Sequence, residues 1–314
     1  MSDAIVNIQK LVKTYPGKTP VEAVKGIDLT VERGELFGLL GPNGAGKSTT
    51  ISVCTTRSLP TAGRVSIAGI DVVEHPSEAR RYMGVVTQFN TLDRQCTVFE
   101  NLYFHCRYFG IPHAESTKRA NELLELFKLT ERTGTFVKTL SGGLAQRVQI
   151  ARAIAHNPEV LFLDEPSAGL DPQTRLALWD IIRELRQRGI TVVLTTHYME
   201  EADQLCGRVS IIDHGKILIS GTPEELKSGV GAQKVFTLQL QDSSADGLRG
   251  RLGTLPGVTS VEGSEGGMVV FTDGRGGLLP EIVGVAGDNL RDISVSETTL
   301  ESVFIKLTGR DLRD

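Results

Sequence analysis

Gly41-Pro42-Asn43-Gly44-Ala45-Gly46-Lys47-Ser48 fits the pattern GxxxxGK[ST], and its setting decides the fold. Upstream, Glu35-Leu36-Phe37-Gly38-Leu39-Leu40 is a nearly all-apolar run, the mark of a strand buried on both faces. Downstream, residues 47–58 suit a helix. A glycine-rich turn lets backbone N–H groups converge on phosphate oxygens with no Cβ in the way. The following helix points its positive end at the same anion. In such a loop Lys47 reaches the β- and γ-phosphates, Ser48 ligates Mg²⁺ and Thr49 adds a phosphate contact. A second apolar strand, Val160-Leu161-Phe162-Leu163, ends in Asp164-Glu165. Asp164 there is placed to hold Mg²⁺, and Glu165 to orient or deprotonate an attacking water.

Outward from these two strands the chain reads as alternating β and α segments. Strands are predicted in 1–12, 21–40, 64–73 and 82–88, and a helical stretch in 98–157. In that stretch Asn101, Leu102, Phe104, Tyr108 and Phe109 share one helix face, and Leu123, Leu124, Leu126 and Phe127 another. Residues 142–156 place Leu144, Val148, Ala151, Ile154 and Ala155 near helical spacing. Asn157-Pro158 closes it, because the residue before proline disfavours the helical region. A helix over 173–188, a strand over 190–195, a helix over 199–205 and a hairpin across Asp213-His214-Gly215 complete an α/β core with a helical insertion at about 89–158. Residues 227–232 read as a linker. Beyond it the pattern is strand 234–240, helix 243–252, strands 256–262 and 267–272, helix 277–286 and strand 289–295. That β-α-β-β-α-β order is the split pattern of ferredoxin-like folds. A last helix is predicted over 298–308.

Composition narrows the function. The 34 Lys and Arg against 38 Asp and Glu give a net charge of -4, which argues against a general nucleic-acid binder. No apolar run approaches the roughly 18–20 residues that span a bilayer. The first ten residues lack the charged and apolar regions of a signal peptide, so a soluble chain is expected. Cys54, Cys96, Cys106 and Cys206 form no CxxC pair and join no His cluster, which fits reduced thiols.

Leu140-Ser141-Gly142-Gly143-Leu144-Ala145-Gln146-Arg147 resembles the LSGGQ signature, and with it the chain resembles the nucleotide-binding subunits of ABC transporters. The resemblance covers about 4–228 and implies a P-loop NTPase (RecA-like) cassette at 1–228 with its helical subdomain at about 89–158; the pattern beyond the linker reads as a small α+β accessory domain at 233–314. It also implies ATP and Mg²⁺ as ligands. Ser141, Gly142 and Gly143 would open a helix whose N-terminus meets the γ-phosphate held by a second copy, making a head-to-tail ATP-sandwich dimer. Leu144 departs from the Gln usual in the signature and cannot make the polar contact of that Gln. Tyr15 matches the aromatic that stacks on adenine. Gln88 matches the glutamine that binds Mg²⁺ and links to the transmembrane partner. Asp171, in Ser167-Ala168-Gly169-Leu170-Asp171, matches the dimer-contact loop, and His197 the switch histidine at the γ-phosphate.

Thr196-His197-Tyr198-Met199-Glu200-Glu201-Ala202 is similar to exporters whose permeases are of the ABC-2 type. The ending Glu297-Thr298-Thr299-Leu300-Glu301-Ser302-Val303-Phe304 with Leu307-Thr308-Gly309-Arg310 is similar to the tail of the daunorubicin-resistance ATPases. These resemblances imply an ATPase bound peripherally at the cytoplasmic side of the membrane to a separate ABC-2-type permease, with no nucleic-acid partner. They tilt the cargo toward a drug or lipophilic metabolite, with lipid, glycolipid or polysaccharide as alternatives. A non-transport ABC ATPase of translation or DNA repair is disfavoured by the single cassette and the absence of sustained heptads. A small-molecule P-loop kinase leaves the signature and His197 unexplained.

Overall fold

The computed structural model describes residues 3–229, 234–241, 247–264, 266–274 and 276–309. The chain begins with β1 (Ala4–Tyr15), β2 (Val21–Glu32), β3 (Leu36–Leu40), α1 (Lys47–Cys54), β4 (Ala62–Ile67), β5 (Ile70–Asp71), α2 (Pro76–Ala79) and β6 (Met83–Val86). The helical insertion holds α3 (Val98–Tyr108), α4 (His113–Leu126) and α5 (Gly142–Ala153). The core resumes with β7 (Val160–Asp164), α6 (Pro172–Gln187), β8 (Thr191–Thr196), α7 (Met199–Leu205), β9 (Arg208–Asp213), β10 (Lys216–Gly221) and α8 (Pro223–Gly229). The C-terminal part holds β11 (Lys234–Leu240), α9 (Leu248–Gly253), β12 (Val258–Ser264), β13 (Gly267–Thr272), α10 (Leu278–Ala286), β14 (Leu290–Glu297) and α11 (Leu300–Thr308).

Three sheets organise these elements. The central sheet runs β10-β9-β3-β8-β7-β6, parallel except for the β9–β10 hairpin. Every residue of β3, β7 and β8 is buried, as expected of strands covered on both faces. Strand order reverses at β3, which has β8 on one side and β9 on the other. The loop after β3 therefore opens at the switch point where ligands of open α/β sheets bind. β1 and β2 belong instead to a separate antiparallel sheet, β2-β1-β4-β5. The two sheets meet at the phosphate loop: Lys25 N donates to Gly215 O at 2.8 Å, and Gly215 N donates to Ala45 O at 2.9 Å.

Several element boundaries differ from the sequence expectation. The helix after the phosphate loop stops at Cys54, where Thr55 turns its hydroxyl back onto Ile51 O and Thr56 adopts a φ of 62°. The strand expected over 64–73 is broken at Ala68 (φ 51°), giving the β4–β5 hairpin. On α3 the buried side is Val98, Asn101, Leu102 and Cys106, whereas Phe104 and Tyr108 are 53% and 83% exposed. Of the face read from the sequence, Asn101 and Leu102 pack inward, whereas Phe104 and Tyr108 turn outward. Residues 227–229 of the expected linker belong to α8; 230–232 lie outside the described residues, as do 243–246 of the expected helix 243–252 and Arg310 of the tail.

In the C-terminal part the strands lie in the order β12-β13-β11-β14, all antiparallel. Alternation along β11 sends Phe236, Leu238 and Leu240 to α9 and α10, and Val235 to the opposite face. There α11, opened by a reciprocal Thr299–Ser302 capping box, buries Leu300, Val303, Phe304 and Ile305. Those side chains join Val269, Phe271, Leu205 and Leu226 in one apolar core, so α11 ties the C-terminal sheet to the cassette.

Candidate nucleotide site

The ends of β3, β7 and β8 lie side by side because Leu40 pairs with Thr196 and Asp164 with Thr195. That register gathers the phosphate loop, the acidic pair and His197. Gly46 holds a φ of 112°, a conformation L side chains rarely adopt, and its carbonyl accepts the Thr50 N–H and hydroxyl as α1 begins. The Lys47 ammonium is 4% exposed and bonds Gly41 O at 2.7 Å, Pro42 O at 2.9 Å and Glu165 Oε1 at 3.2 Å. Burial lowers its pKa, and the charges of Glu165 and Asp164 oppose that shift. All three donors are thus occupied.

Asp164 Oδ1 accepts from Ser48 Oγ at 3.0 Å and from Thr195 Oγ1 at 2.6 Å. These oxygens, at the mouth of the loop, are the hard donors that suit Mg²⁺. Glu165 follows with a φ of 48°, an uncommon backbone state for a side chain of its size and the kind of local strain that clusters at functional sites. Its N–H is held by both Thr195 O and Thr195 Oγ1, which fixes the turn. Its second carboxylate oxygen, Oε2, lies 3.1 Å from His197 Nδ1. Lys47, Glu165 and His197 therefore form a continuous chain, with the carboxylate between the ammonium and the imidazole.

The other expected residues are more dispersed. Tyr15 closes β1, 40% exposed, with Lys13 Nζ 4.9 Å from its ring centroid. Asn43, Gly44 and Ser48 are exposed on the loop, while Gly41, Pro42 and Ala45 are buried beneath it and Thr49 is half-buried. Gln88 is exposed beyond β6, and no hydrogen bond joins it to Ser48 or Asp164. Ser141 occupies the N-cap of α5, yet its side chain makes no capping bond, so its hydroxyl and the first N–H groups of the helix face outward together. Gly142 is exposed. Gly143 packs so tightly on Thr174 Cγ2 that a Cβ at 143 has no room. Asp171 is the N-cap of α6, accepting from Thr174 N at 3.0 Å and Thr174 Oγ1 at 2.6 Å, and those bonds lower its pKa. Leu144 is half-buried against the core, in contrast to the polar contact made by the usual Gln.

Sequence reasoning did not single out Thr195, which holds both acidic residues, or Trp179 and Glu201, which pair behind them. Nor did it find Glu301 of α11, which lines one cleft of about 520 Å³ with Asn43, Arg175 and His197. Through that residue the C-terminal part reaches the edge of the nucleotide site. A separate cleft of about 370 Å³ lies between the core and the helical insertion, lined by Arg57, Met83, His105, Phe109 and His156. Burial depresses the pKa of His105 to about 3 and that of His156 to about 4. His156 stacks on Phe109 at 3.7 Å, its Nε2 is 3.1 Å from Met83 O, and its Nδ1 is buried with no partner.

A strand, glycine-rich loop and helix at a sheet switch point, with Lys and Ser opposite a strand-end Asp, define an ATPase site of the P-loop class. A family model described as ABC transporter matches residues 24–168. The Nod factor export ATP-binding protein I of Cupriavidus pinatubonensis is 39% identical over 99% of this chain and 93% of its own length. The daunorubicin/doxorubicin resistance ATP-binding protein DrrA of Streptomyces peucetius is 40% identical over 97% of this chain and 92% of its own length. The linearmycin resistance ATP-binding protein LnrL of Bacillus subtilis is 36% identical over 99% and 100%. Among solved structures, an ATP-binding subunit of an ABC transporter matches with a TM-score of 0.65 at 30% identity, covering 72% of this chain and 93% of its own. An ATP-binding cassette solved as a dimer with ADP and Pi matches with a TM-score of 0.63 at 30% identity, covering 69% and 98%. The chain belongs to the ABC transporter family, and it is an ATP-binding subunit that hydrolyses ATP.

Proposed function

We propose that this chain powers export of a drug or lipophilic metabolite through a separate ABC-2-type permease, seated on the cytoplasmic face of the membrane. The observation that carries the reading is the similarity to resistance and export subunits over the whole chain, C-terminal part included. The exposed Phe89, Phe104 and Tyr108 beside the cleft of His105 and His156 support that region as the surface for the permease's cytosolic helices. Residues 1–228 are proposed as the ATPase cassette and 233–314 as an accessory domain supporting the dimer.

Two copies would close head to tail, each bringing the Ser141 hydroxyl and the α5 N-terminus to the γ-phosphate held by the other. Asp171 at the start of α6 is proposed to contact the partner while it caps its own helix, and Tyr15 to stack on adenine. Ser48 and Asp164, joined by Gln88 on closure, would hold Mg²⁺, which supplies charge neutralisation between the phosphates. Glu165 accepts a proton as water attacks the γ-phosphorus and the bond to the ADP oxygen breaks. Lys47 and His197 flank the charge that develops on the transferred phosphoryl group.

Glu165→Gln keeps the shape of the site and removes the base, so ATP binding should persist while turnover falls roughly 10²- to 10⁴-fold. Normal turnover in that variant would sink the assignment. Co-purification from native membranes tests the partner: recovery with ribosomes or DNA, and without a membrane protein, would refute the exporter reading.

A further inference from the structure

Behind the acidic pair lies a second, fully enclosed carboxylate. Glu201, in the first turn of α7, is 0% exposed. Its Oε1 accepts from Trp179 Nε1 of α6 at 3.0 Å. Its Oε2 and the hydroxyl of Ser167, which is 2% exposed, are both buried without a partner in hydrogen-bond geometry. Ser167 and Thr196 nonetheless stand close enough to offset part of the cost of burying the charge. Burial is the larger effect and raises the Glu201 pKa, with Arg175 opposing it. Two unsatisfied groups facing one another in a closed space are costly to leave apart, and a small displacement would join them.

Each of these neighbours belongs to a different element of the fold. Ser167 sits in the loop from Glu165 to Asp171, where Ala168 N bonds Glu165 O and Leu170 N bonds Ser167 O. Thr196 lies between Thr195, which holds Asp164, and His197; its hydroxyl accepts the Tyr198 N–H at 2.9 Å. Trp179 lies on α6, the helix that Asp171 caps and whose Thr174 abuts Gly143. We infer that Glu201 is a positioning residue for hydrolysis: its carboxyl takes the Trp179 N–H on one oxygen and the Ser167 hydroxyl on the other, locking the 165–171 loop, α6 and the end of β8 into one unit that sets Glu165 and His197. The Ser167 bond closes when the site closes on ATP, so its contribution is felt in turnover rather than in nucleotide binding.

The inference rests on Glu165 being the base, and the test separates the two ideas. In the full-length chain, steady-state phosphate release gives kcat and KM, and a fluorescent ATP analogue gives affinity. Glu201→Ala should lower kcat roughly 10- to 100-fold, with KM and affinity within about threefold. Glu201→Gln retains an acceptor for Trp179 and offers an N–H to the Ser167 oxygen, so its kcat should stay within about threefold of the parent. Ser167→Ala, a change too small to endanger folding, should cost roughly 3- to 10-fold in kcat alone and add little in the Glu201→Ala background. Full kcat in Ser167→Ala, Glu201→Gln as impaired as Glu201→Ala, or additive losses would overturn the inference. If Glu201→Ala does not fold, Ser167→Ala and Glu201→Gln decide the matter between them. Should Glu165→Gln lose turnover while the Ser167 and Glu201 variants keep it, the positioning role fails alone; should Glu165→Gln hydrolyse normally, the catalytic assignment fails first.

Discussion

Thr195→Val is the most direct probe of how β8 organises the chemistry. The side chain is fully buried, and Val matches its shape, so the packing of the central sheet is kept. What disappears is one hydroxyl with two bonds, a donation to Asp164 Oδ1 at 2.6 Å and an acceptance from Glu165 N at 3.0 Å. The second loss is small, because Glu165 N keeps Thr195 O at 3.1 Å. The first removes a charge-assisted bond from a carboxylate that, among the described residues, retains Ser48 at 3.0 Å. A hydrogen bond to a charged group is worth about 1.5–3 kcal/mol, which, if realised fully in the transition state, is a kcat lower by about 10- to 150-fold. Thr195→Ser keeps the hydroxyl and loses one methyl, so it should hold kcat within about threefold while costing roughly 1 kcal/mol of stability. Phosphate release at saturating Mg·ATP, with urea unfolding in parallel, measures both quantities. A Thr195→Val enzyme within twofold of the parent, or a Ser variant as slow as the Val variant, would refute the reasoning.

Two other perturbations follow from particular contacts. Gly143→Ala would ordinarily favour the start of α5, but its Cβ meets Thr174 Cγ2, and overpacking of about 1–3 kcal/mol outweighs the propensity gain. ATP-dependent dimerisation should weaken, and Thr174→Ser in the same chain, which removes that methyl and keeps the hydroxyl for Asp171, should restore it; failure to restore would place the fault elsewhere. His156 is held neutral by burial, its pKa near 4 against 6.5 ordinarily, so the unfolded chain binds the extra proton between those values. Stability is therefore complete above pH 6.5 and falls as the pH drops toward 4, by at most about 2 kcal/mol at pH 5. His105 adds a loss of the same sign. Urea midpoints at pH 7.5 and 5 should differ less in His156→Phe, which keeps an aromatic ring against Phe109, than in the parent; an unchanged difference would contradict the assignment.

What could be read from the sequence was local. The phosphate loop, the strand-end Asp164-Glu165 and the Ser141 helix start each carry their chemistry within a few consecutive residues, and strand register brings the first two together. Thr195, Trp179 and Glu201 were not legible because their significance lies in pairings across about 20–30 residues, between side chains whose types are unremarkable in a strand or helix. Asp171 was singled out from the sequence as a dimer-contact position but not as a helix cap, since the bonds to Thr174 depend on where α6 begins. The C-terminal element order follows from alternation and turns, whereas the reach of Glu301 to the nucleotide cleft depends on which face of β11 and β13 receives α11. The face of α3 is the most instructive case. Helical spacing identifies Phe104 and Tyr108 as one apolar stripe, and an apolar stripe on its own is indistinguishable from a core stripe. In the fold the core is supplied by Val98, Leu102 and Cys106, and Phe104 and Tyr108 are left exposed on the helical insertion. Periodicity reports that a surface must be covered, not what covers it. An ATP-binding subunit of a membrane transporter can carry faces whose cover is on another chain, and the exposure of Phe104 and Tyr108 is what supports the docking surface proposed above.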